Sequence, residues 1–201
     1  MRSAEQLLAT HGLSQISVDA LARGAGLSRS AFYFYFPSKD AVVLGLVERL
    51  VHEAATARDA ALLDQGEDGP EGLRSSIAIF YETFGAHRPV VEAAVELSAT
   101  NEEARALWSE IMEGWVEHAA ERIEGARAKG LAPPGMPARE LAIALVQLNE
   151  EALRAVYTKS RPALSEESAI DVLAHIWISA IYMPPREHAR QGAGGRAGAE
   201  A

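Results

Sequence analysis

Apolar residues recur at intervals of three and four along almost the whole chain, which is the spacing of one face of an α-helix. The pattern is interrupted by short clusters rich in glycine, proline and aspartate at residues 65–70, 130–136 and 161–164. No segment repeats at a fixed period, which argues against a helical solenoid. The sequence therefore predicts an all-α fold of helices joined by short loops.

Capping and helix-breaking residues set the expected ends of the helices beyond residue 37. Ser38 can cap a long helix, and Asn101 can cap another that ends before Gly130. Ser165 precedes two glutamates, which suits the start of the last helix. We expect helices over residues 38–63, 71–85, 87–99, 101–129, 137–157 and 165–184. The first of them carries an apolar stripe with four-residue spacing: Val42, Leu46, Leu50 and Ala54.

The composition is that of a folded globular protein, with 48% hydrophobic and 23% charged residues. The absence of cysteine excludes disulfides, thiolate nucleophiles and sulfur-ligated metals. No apolar run approaches the roughly 18 residues that a membrane span needs, and the start is too polar for a secretory signal, so we expect a cytoplasmic protein. Residues 191–201 contain no large apolar side chain, and we expect a disordered tail there.

The net charge of −9 is unusual for a protein that binds nucleic acid, but the charge is unevenly distributed. Through residue 52 the chain has five basic and four acidic residues, a net charge of +1. The remainder has 14 basic and 24 acidic residues, a net charge of −10. We call residues 1–52 the head and the remainder the body. A near-neutral head on an acidic body favours an orientation in which only the head approaches DNA.

The N-terminal part contains two short helical patterns separated by a tight turn. Ser17 can cap the first helix and Ser28 the second, and Gly26 can adopt the positive φ that the turn requires. Ala22 and Ala25 are small enough for the two helices to cross closely. This arrangement is typical of a helix-turn-helix, whose second helix enters the major groove of DNA.

The second helix of this motif contains Phe-Tyr-Phe-Tyr-Phe at 32–36, which by itself alternates like a β-strand. In the helical register that the motif requires, Phe32 and Phe36 share an inward face. The outer face then carries Arg29, Ser30, Ala31, Tyr33 and Tyr35. A guanidinium can bind guanine, a methyl group can contact thymine, and phenols can reach phosphates. Packing in a three-helix bundle explains the two phenylalanines, but it does not explain two tyrosines, Arg29 and Lys39 on one side.

The pattern A-x-x-A-G-L-S-x-x-x-F-Y-x-Y-F-x-S-K-D, which begins at Ala22, resembles the DNA-binding signature of the TetR family of regulators. The resemblance implies nine helices, a homodimer built on the last two, and two heads that read successive major grooves of a palindromic operator. It implies phosphate contacts by Ser17, Tyr33 and Lys39, base contacts by Arg29, Ser30 and Ala31, and an edge position for Tyr35. Family members usually carry a basic extension, whereas Met1-Arg2-Ser3 leads directly into the first helix; either the start is truncated or fewer phosphates are contacted.

A second set of aromatic and amide residues lies in helical register beyond residue 79. The set comprises Phe80, Phe84, Trp108, Met112, Trp115 and Trp177, with Gln147 and Asn149. A ligand pocket and an ordinary core both have this character, so the residues alone leave the two open. The chain also resembles one branch of the TetR family, repressors that bind apolar ligands in a helical channel. That resemblance implies that a small apolar effector contacts Phe80, Phe84, Trp108, Met112, Trp115, His118, Asn149 and Trp177.

Four positions depart from the channel of that branch. Leu73 replaces a tryptophan, Val146 an asparagine, His118 a tyrosine and Arg154 a phenylalanine. The ligand therefore need not be the same. Arg154 either makes one end of the channel more polar or pairs with Glu150, four residues earlier.

The leading interpretation is a ligand-responsive repressor with a DNA-binding domain at 1–46, an effector and dimerisation domain at 47–185, and a tail at 186–201. His118 and Glu121 are three residues apart, but no second histidine follows at metal-ligand spacing, so no metal or other cofactor is expected. One alternative is a helical carrier or enzyme, although no catalytic constellation supports it. The other alternative is a structural dimer that binds DNA without an effector.

Overall fold

The computed structural model describes residues 1–65 and 69–183, and within these residues the chain forms nine α-helices. They are α1 (Arg2–Leu8), α2 (Val18–Gly24), α3 (Arg29–Tyr35), α4 (Lys39–Gln65), α5 (Pro70–Ala86), α6 (Arg88–Ser98), α7 (Glu102–Ala128), α8 (Ala138–Tyr157) and α9 (Ala169–Tyr182). A 3-10 turn, Leu13–Gln15, lies between α1 and α2. The prediction of an all-α, nine-helix fold is confirmed. The predicted disordered tail, 186–201, lies outside the described residues.

Side-chain hydrogen bonds start two of the long helices at the predicted residues. Ser38 Oγ accepts a hydrogen bond from the amide of Ala41 at 3.1 Å, and Asn101 Oδ1 accepts one from the amide of Ala104 at 3.0 Å. Gly130 follows α7 with a φ of +72°, which ends that helix. From α4 to α8, the observed ends lie within two residues of the predicted ones.

The last helix starts later than predicted. Ser165 Oγ accepts a hydrogen bond from the amide of Ser168 at 3.2 Å, and the Ser165 carbonyl accepts one from the amide of Ala169 at 3.0 Å. These bonds close a separate turn, after which regular helix begins at the fully buried Ala169. The prediction that Ser165 opens α9 was wrong because this side chain caps the preceding turn.

Two clusters of buried apolar side chains form the core. The first joins α1, α2 and α3 to α4 and α6, and at its centre Leu46 and Ala54 have no exposed surface. The second lies among α5, α7, α8 and α9, with Ile123 and Leu173 almost completely buried. The stripe predicted on α4 is confirmed, because Val42, Leu46, Leu50 and Ala54 are all buried.

The N-terminal part is joined to the rest of the chain by α4 and α6. The domain boundary predicted at residue 46 falls within α4, so one continuous helix belongs to both parts. The amide of Ser14 donates to Glu96 Oε1 on α6 at 3.1 Å, and Asn101 Nδ2 donates to Asp40 Oδ2 on α4 at 3.2 Å. These two helices therefore connect the head to the body.

An ionic joint formed by Glu5, Arg49 and His87 connects α1 to the body. The Glu5 carboxylate contacts His87 Nδ1 and accepts a hydrogen bond from the Arg49 guanidinium at 2.9 Å. Burial by itself raises the pKa of Glu5, but the hydrogen bonds and charges of His87 and Arg49 outweigh it and lower that pKa below its ordinary value. The joint therefore keeps Glu5 ionised.

Candidate DNA-binding surface and ligand cavity

The turn between α2 and α3 is built from local backbone chemistry. Ser17 Oγ accepts a hydrogen bond from the amide of Ala20 at 3.2 Å, and Ser28 Oγ accepts one from the amide of Ala31 at 3.1 Å. Gly26 adopts a φ of +69°, a conformation that side chains with a Cβ disfavour. The structure thus contains the predicted helix-turn-helix, with both caps and the turn glycine as expected.

The aromatic run on α3 divides between the core and the surface. Phe32 is 3% exposed and its ring centre lies 5.8 Å from that of the half-buried Phe36. Tyr33, Phe34 and Tyr35 are exposed, and Phe34 is the most exposed of them at 83%. The sequence interpretation missed Phe34 as a surface residue, although the register that turns Phe32 and Phe36 inward turns Phe34 outward.

The polar residues of the outer face are already engaged with one another. Arg29 donates a hydrogen bond to Asp19 at 2.8 Å and another to the Tyr33 hydroxyl at 3.4 Å. Ser30 Oγ lies 3.0 Å from Ser28 Oγ, and both side chains are exposed. Ala31 is half-buried beside them.

Lys39 lies where the turn after α3 meets the 3-10 turn. Its ammonium donates hydrogen bonds to the carbonyl oxygens of Leu13 at 2.8 Å and Ile16 at 3.3 Å. Ser17, which is predicted to contact phosphate, follows Ile16 directly and is exposed. Lys39 therefore has a structural role in tying the head together, and its predicted phosphate contact stays a prediction.

A cavity of about 460 Å³ lies within the body and is walled by α4 to α9. Its volume is in the range of pockets that hold small molecules. Four aromatic rings meet in its wall: the ring of Trp115 lies 5.5 Å from Phe80, 5.9 Å from Phe84 and 5.6 Å from Trp108, each approached edge to face. Across the cavity, Trp177 Nε1 donates a hydrogen bond to Asn149 Oδ1 at 2.9 Å.

Most of the residues predicted to contact a ligand line this cavity. They are Phe80, Phe84, Trp108, Trp115, His118, Asn149 and Trp177. Met112 packs against the second core cluster instead, and Gln147 is exposed on the outside of α8. All four departures from the channel pattern also line the cavity: Leu73, His118, Val146 and Arg154. The suggested pairing of Arg154 with Glu150 was wrong, because Arg154 donates three hydrogen bonds to Glu151, one of them at 2.7 Å.

The cavity wall also contains polar residues that the sequence interpretation missed. They include Arg58, Ser76, Ser98, Arg122 and Glu150. Arg58 follows the fully buried Ala54 by one helical turn and so continues the stripe of α4 into the cavity, which is the sequence signal that could have found it. Burial raises the pKa of Glu150 above its ordinary value, and Arg154 opposes that rise.

Apolar side chains on α8 and α9 remain at the surface of the single chain. Leu148 and Val172 are 38% and 36% exposed, and Ile176 and Ile178 beside them are half-buried.

Within residues 1–65 and 69–183, no histidine, aspartate and glutamate side chains are grouped to hold a metal ion. No helix of that same part is long and apolar enough to cross a membrane.

A capped helix-turn-helix is the DNA-binding element of helix-turn-helix transcriptional regulators, and here it is joined to a long helix that lines an apolar cavity. Residues 1–46 match the model of bacterial regulatory proteins of the tetR family, and residues 73–183 match that of the C-terminal domain of transcriptional regulator EthR. The chain belongs to the TetR family of transcriptional regulators. It is a DNA-binding regulator similar to EthR.

The chain is 42% identical over 183 residues to the HTH-type transcriptional regulator EthR of Mycobacterium tuberculosis, strain CDC 1551 / Oshkosh, covering 90% of this chain and 85% of that protein. A putative regulator from Saccharomonospora viridis in complex with choline has a similar fold, with a TM-score of 0.71, 24% identity and coverage of 87% and 91%. FadR of Thermus thermophilus, in complex with lauroyl-CoA, has a TM-score of 0.63, 21% identity and coverage of 95% and 96%. The two structures establish the fold alone.

Proposed function

We propose that the chain is a cytoplasmic repressor that leaves a palindromic operator when a small effector enters the cavity. The residues assigned to DNA are Ser17, Arg29, Ser30, Ala31, Tyr33, Tyr35 and Lys39, to which the exposed Phe34 is added. The effector contacts are assigned to Phe80, Phe84, Trp108, Trp115, His118, Asn149 and Trp177. We infer that the chain is not an enzyme, a conclusion supported by relatives that are named transcriptional regulators.

The observation that carries this proposal is the double role of α4. Lys39, its first residue, is bonded to the backbone of the head, and Val43 and Val47, one and two turns further, line the cavity. α6 repeats the arrangement, since Val91 lines the cavity while Glu96 holds the head at Ser14. A ligand that alters the spacing of α4 and α6 would move the head with them.

We assign the dimer interface to the outer faces of α8 and α9. Leu148 and Val172 give this surface apolar side chains that a second copy can cover, and exposed apolar patches of this kind mark protein interfaces. In two-fold helix-turn-helix dimers the recognition helices lie about 34 to 36 Å apart, one DNA turn. The dimer leaves the operator if the effector binds more tightly to a dimer whose recognition helices have a different spacing. Shifting the ratio of that dimer to the DNA-binding dimer from 1:99 to 99:1 requires the effector to favour it by about 5.5 kcal/mol.

The test is a gel-shift titration with the DNA upstream of the chain's own gene. We expect a specific shift that is lost with Arg29→Ala and weakened with Tyr33→Phe, while Arg74→Ala, which removes an exposed arginine on α5, leaves it unchanged. Absence of a specific shift would contradict the repressor assignment.

Medium-length apolar esters and amides are then added, and binding is checked by a rise in melting temperature. A specific shift that none of these compounds reverses or stabilises would favour the ligand-independent dimer.

A further inference from the structure

His87 stands at the corner where α5 ends and α6 begins. Its amide donates a hydrogen bond to the Phe84 carbonyl at 3.1 Å, and its own carbonyl accepts hydrogen bonds from the amides of Val90 at 2.9 Å and Val91 at 3.3 Å. Phe84, Val90 and Val91 all line the cavity. The backbone of His87 is therefore bonded directly to residues of the cavity wall.

The imidazole of His87 connects this corner to α1 and α4. Its Nδ1 atom contacts the Glu5 carboxylate on α1, and its Nε2 atom lies 3.6 Å from Glu53 Oε1 on α4. Arg49, one turn before Glu53, donates to the same Glu5 carboxylate at 2.9 Å. The side chains of His87 and Glu5 are only 20% and 21% exposed, so water and salt screen their interaction less than that of a surface pair. One imidazole thus holds three parts of the chain together.

The two ring nitrogens of His87 both face carboxylate oxygens, which can only accept hydrogen bonds when ionised. A neutral imidazole has one N–H group and one lone pair, whereas an imidazolium has two N–H groups. Only the protonated ring can donate toward Glu5 and Glu53 at the same time. In the neutral ring, a lone pair would face one of the two carboxylates. The geometry of the ionic joint therefore favours the imidazolium.

The charged groups around His87 leave histidine as the group of the ionic joint that changes its charge near neutral pH. Burial raises the pKa of Glu5, but the hydrogen bonds and charges of His87 and Arg49 lower it below its ordinary value, so Glu5 stays ionised at neutral pH. Arg88, the next residue along α6, is paired with Glu166 at 2.8 Å. Histidine is the side chain that ordinarily titrates in this range.

We propose that His87 is a positioning residue that holds the head to the body in a proton-dependent way. When protonated, it bridges Glu5 and Glu53 and fixes α1, which shares a buried core with α2 and α3. When neutral, it loses one of these contacts and the head gains freedom. A fixed head loses less freedom on DNA, so operator binding should be tighter at the lower pH. This effect on DNA rests on the proposed function, whereas the movement of the head does not.

The first experiment measures the position of the head without DNA. The chain has no cysteine, so Arg23→Cys on α2 and Glu110→Cys on α7, both exposed, introduce one pair of spin labels. Labelled chains are diluted with unlabelled ones, so that pulsed electron paramagnetic resonance reports distances within one chain. The parent should give a narrow distribution at about pH 6 and a broader or displaced one at about pH 8. His87→Gln should give the same distribution at both, and His52→Gln, an exposed histidine of α4 outside the joint, should behave like the parent.

The second experiment measures affinity for the DNA upstream of the chain's own gene, with a scrambled duplex to correct for general attraction. Lowering the pH from about 8 to about 6 should raise the affinity of the parent about threefold more than that of His87→Gln. Glu53→Gln removes an exposed carboxylate, so it should leave the core intact and move the midpoint of the parent's pH dependence to lower pH. Melting curves confirm that each variant is folded.

The outcomes separate the positioning role of His87 from the proposed function. Identical distance distributions of the parent at the two pH values, or a pH dependence that survives in His87→Gln, overturn the positioning role. A midpoint that Glu53→Gln leaves unchanged overturns the bridge between the two carboxylates. If the head moves with pH but no duplex is bound specifically, the positioning role stands and the repressor function fails. Specific binding by a head that does not move with pH has the opposite meaning.

Discussion

The carboxylate of Asp19 on α2 lies 2.8 Å from the guanidinium of Arg29 on α3, and the two side chains are 55% and 59% exposed. An exposed ion pair of this kind contributes little to the free energy of folding. It places a negative charge on the face proposed to meet DNA and orients Arg29, whose guanidinium carbon also lies 5.6 Å from the centre of the Tyr33 ring. We therefore propose that Asp19 acts on DNA recognition through Arg29.

Asp19→Asn should raise affinity for all duplex DNA but reduce discrimination. The change removes one negative charge, so the slope of log affinity against log salt should steepen by about one. Arg29 is then no longer oriented toward a base, so the affinity for the operator should rise less than the affinity for a scrambled duplex. Fluorescence anisotropy over a salt series measures both. Glu110→Gln, an exposed acid on α7, is the control for charge alone. Equal gains for both duplexes would show that Asp19 does not position Arg29.

Phe34→Ala should weaken DNA binding without weakening the fold. Because this ring is 83% exposed, its removal should change the free energy of unfolding by less than about 0.5 kcal/mol. Loss of an apolar contact to a base should reduce operator affinity by roughly tenfold. Phe32→Ala is the contrasting variant: that ring is 3% exposed, and its loss should cost about 3 to 5 kcal/mol. Unchanged operator affinity for Phe34→Ala would remove Phe34 from the interface.

Lys39→Met should destabilise the head. The two carbonyl oxygens of Leu13 and Ile16 would lose a charged donor, at a cost of about 1 to 3 kcal/mol in urea unfolding. Operator binding is measured well below the melting temperature, where any loss beyond the unfolded fraction reports a phosphate contact. Lys39→Arg retains the charge and should recover most of the DNA affinity. Full stability of Lys39→Met would mean that the carbonyl contacts contribute nothing.

Stability should fall in acid partly because of Glu5. Its pKa is lowered in the folded protein, so its contribution is present above the pKa of the unfolded chain, near 4.5, and is lost as the pH falls through the folded value. Glu5→Gln should therefore be less stable than the parent at neutral pH and should lose less stability on acidification. Urea midpoints at neutral pH and near pH 4 measure this difference. Glu92→Gln, an exposed acid on α6, should behave like the parent; identical pH profiles for Glu5→Gln and the parent would contradict the assignment.

Charges on the outer face of α8 and α9 should separate the proposed dimer. Leu148→Glu with Val172→Glu places two carboxylates on the apolar surface, where burial against a second copy would be strongly unfavourable. Sedimentation should give a folded monomer, and specific operator binding should be lost because one head reads only half of the site. Leu131→Glu, at an exposed loop position, is the control. A dimer that persists would place the interface elsewhere.

The local features of the fold were predictable because they depend on a few residues close in sequence. Ser17, Gly26 and Ser28 determine the helix-turn-helix through two hydrogen bonds and one positive φ. The same logic gave the starts of α4 and α7. It failed at Ser165, since a serine that can cap a helix can equally cap a single turn, and regular helix begins only at the buried Ala169.

The charged residues of the cavity wall were less predictable. Arg58 continues the apolar stripe of α4, but nothing close in sequence distinguishes Arg122 from the charged residues of α7 that face solvent. The hydrogen bond from Arg122 to Ser76 depends on how α5 and α7 pack, because the two residues are 46 positions apart in the chain. Resemblance to a family with a channel identified most of the apolar wall. It misplaced Met112, which fills the core beside that wall.

All three tryptophans of the chain, Trp108, Trp115 and Trp177, stand in the wall of the cavity. The tryptophan emission of the protein therefore originates entirely from the surroundings of the proposed effector. Events confined to the DNA-binding face should leave that emission almost unchanged, because the aromatic residues of α3 are phenylalanine and tyrosine only. Excited at the tryptophan band, the unlabelled regulator can thus serve as its own optical sensor of cavity occupancy, while a dye on the operator reports release at a separate wavelength.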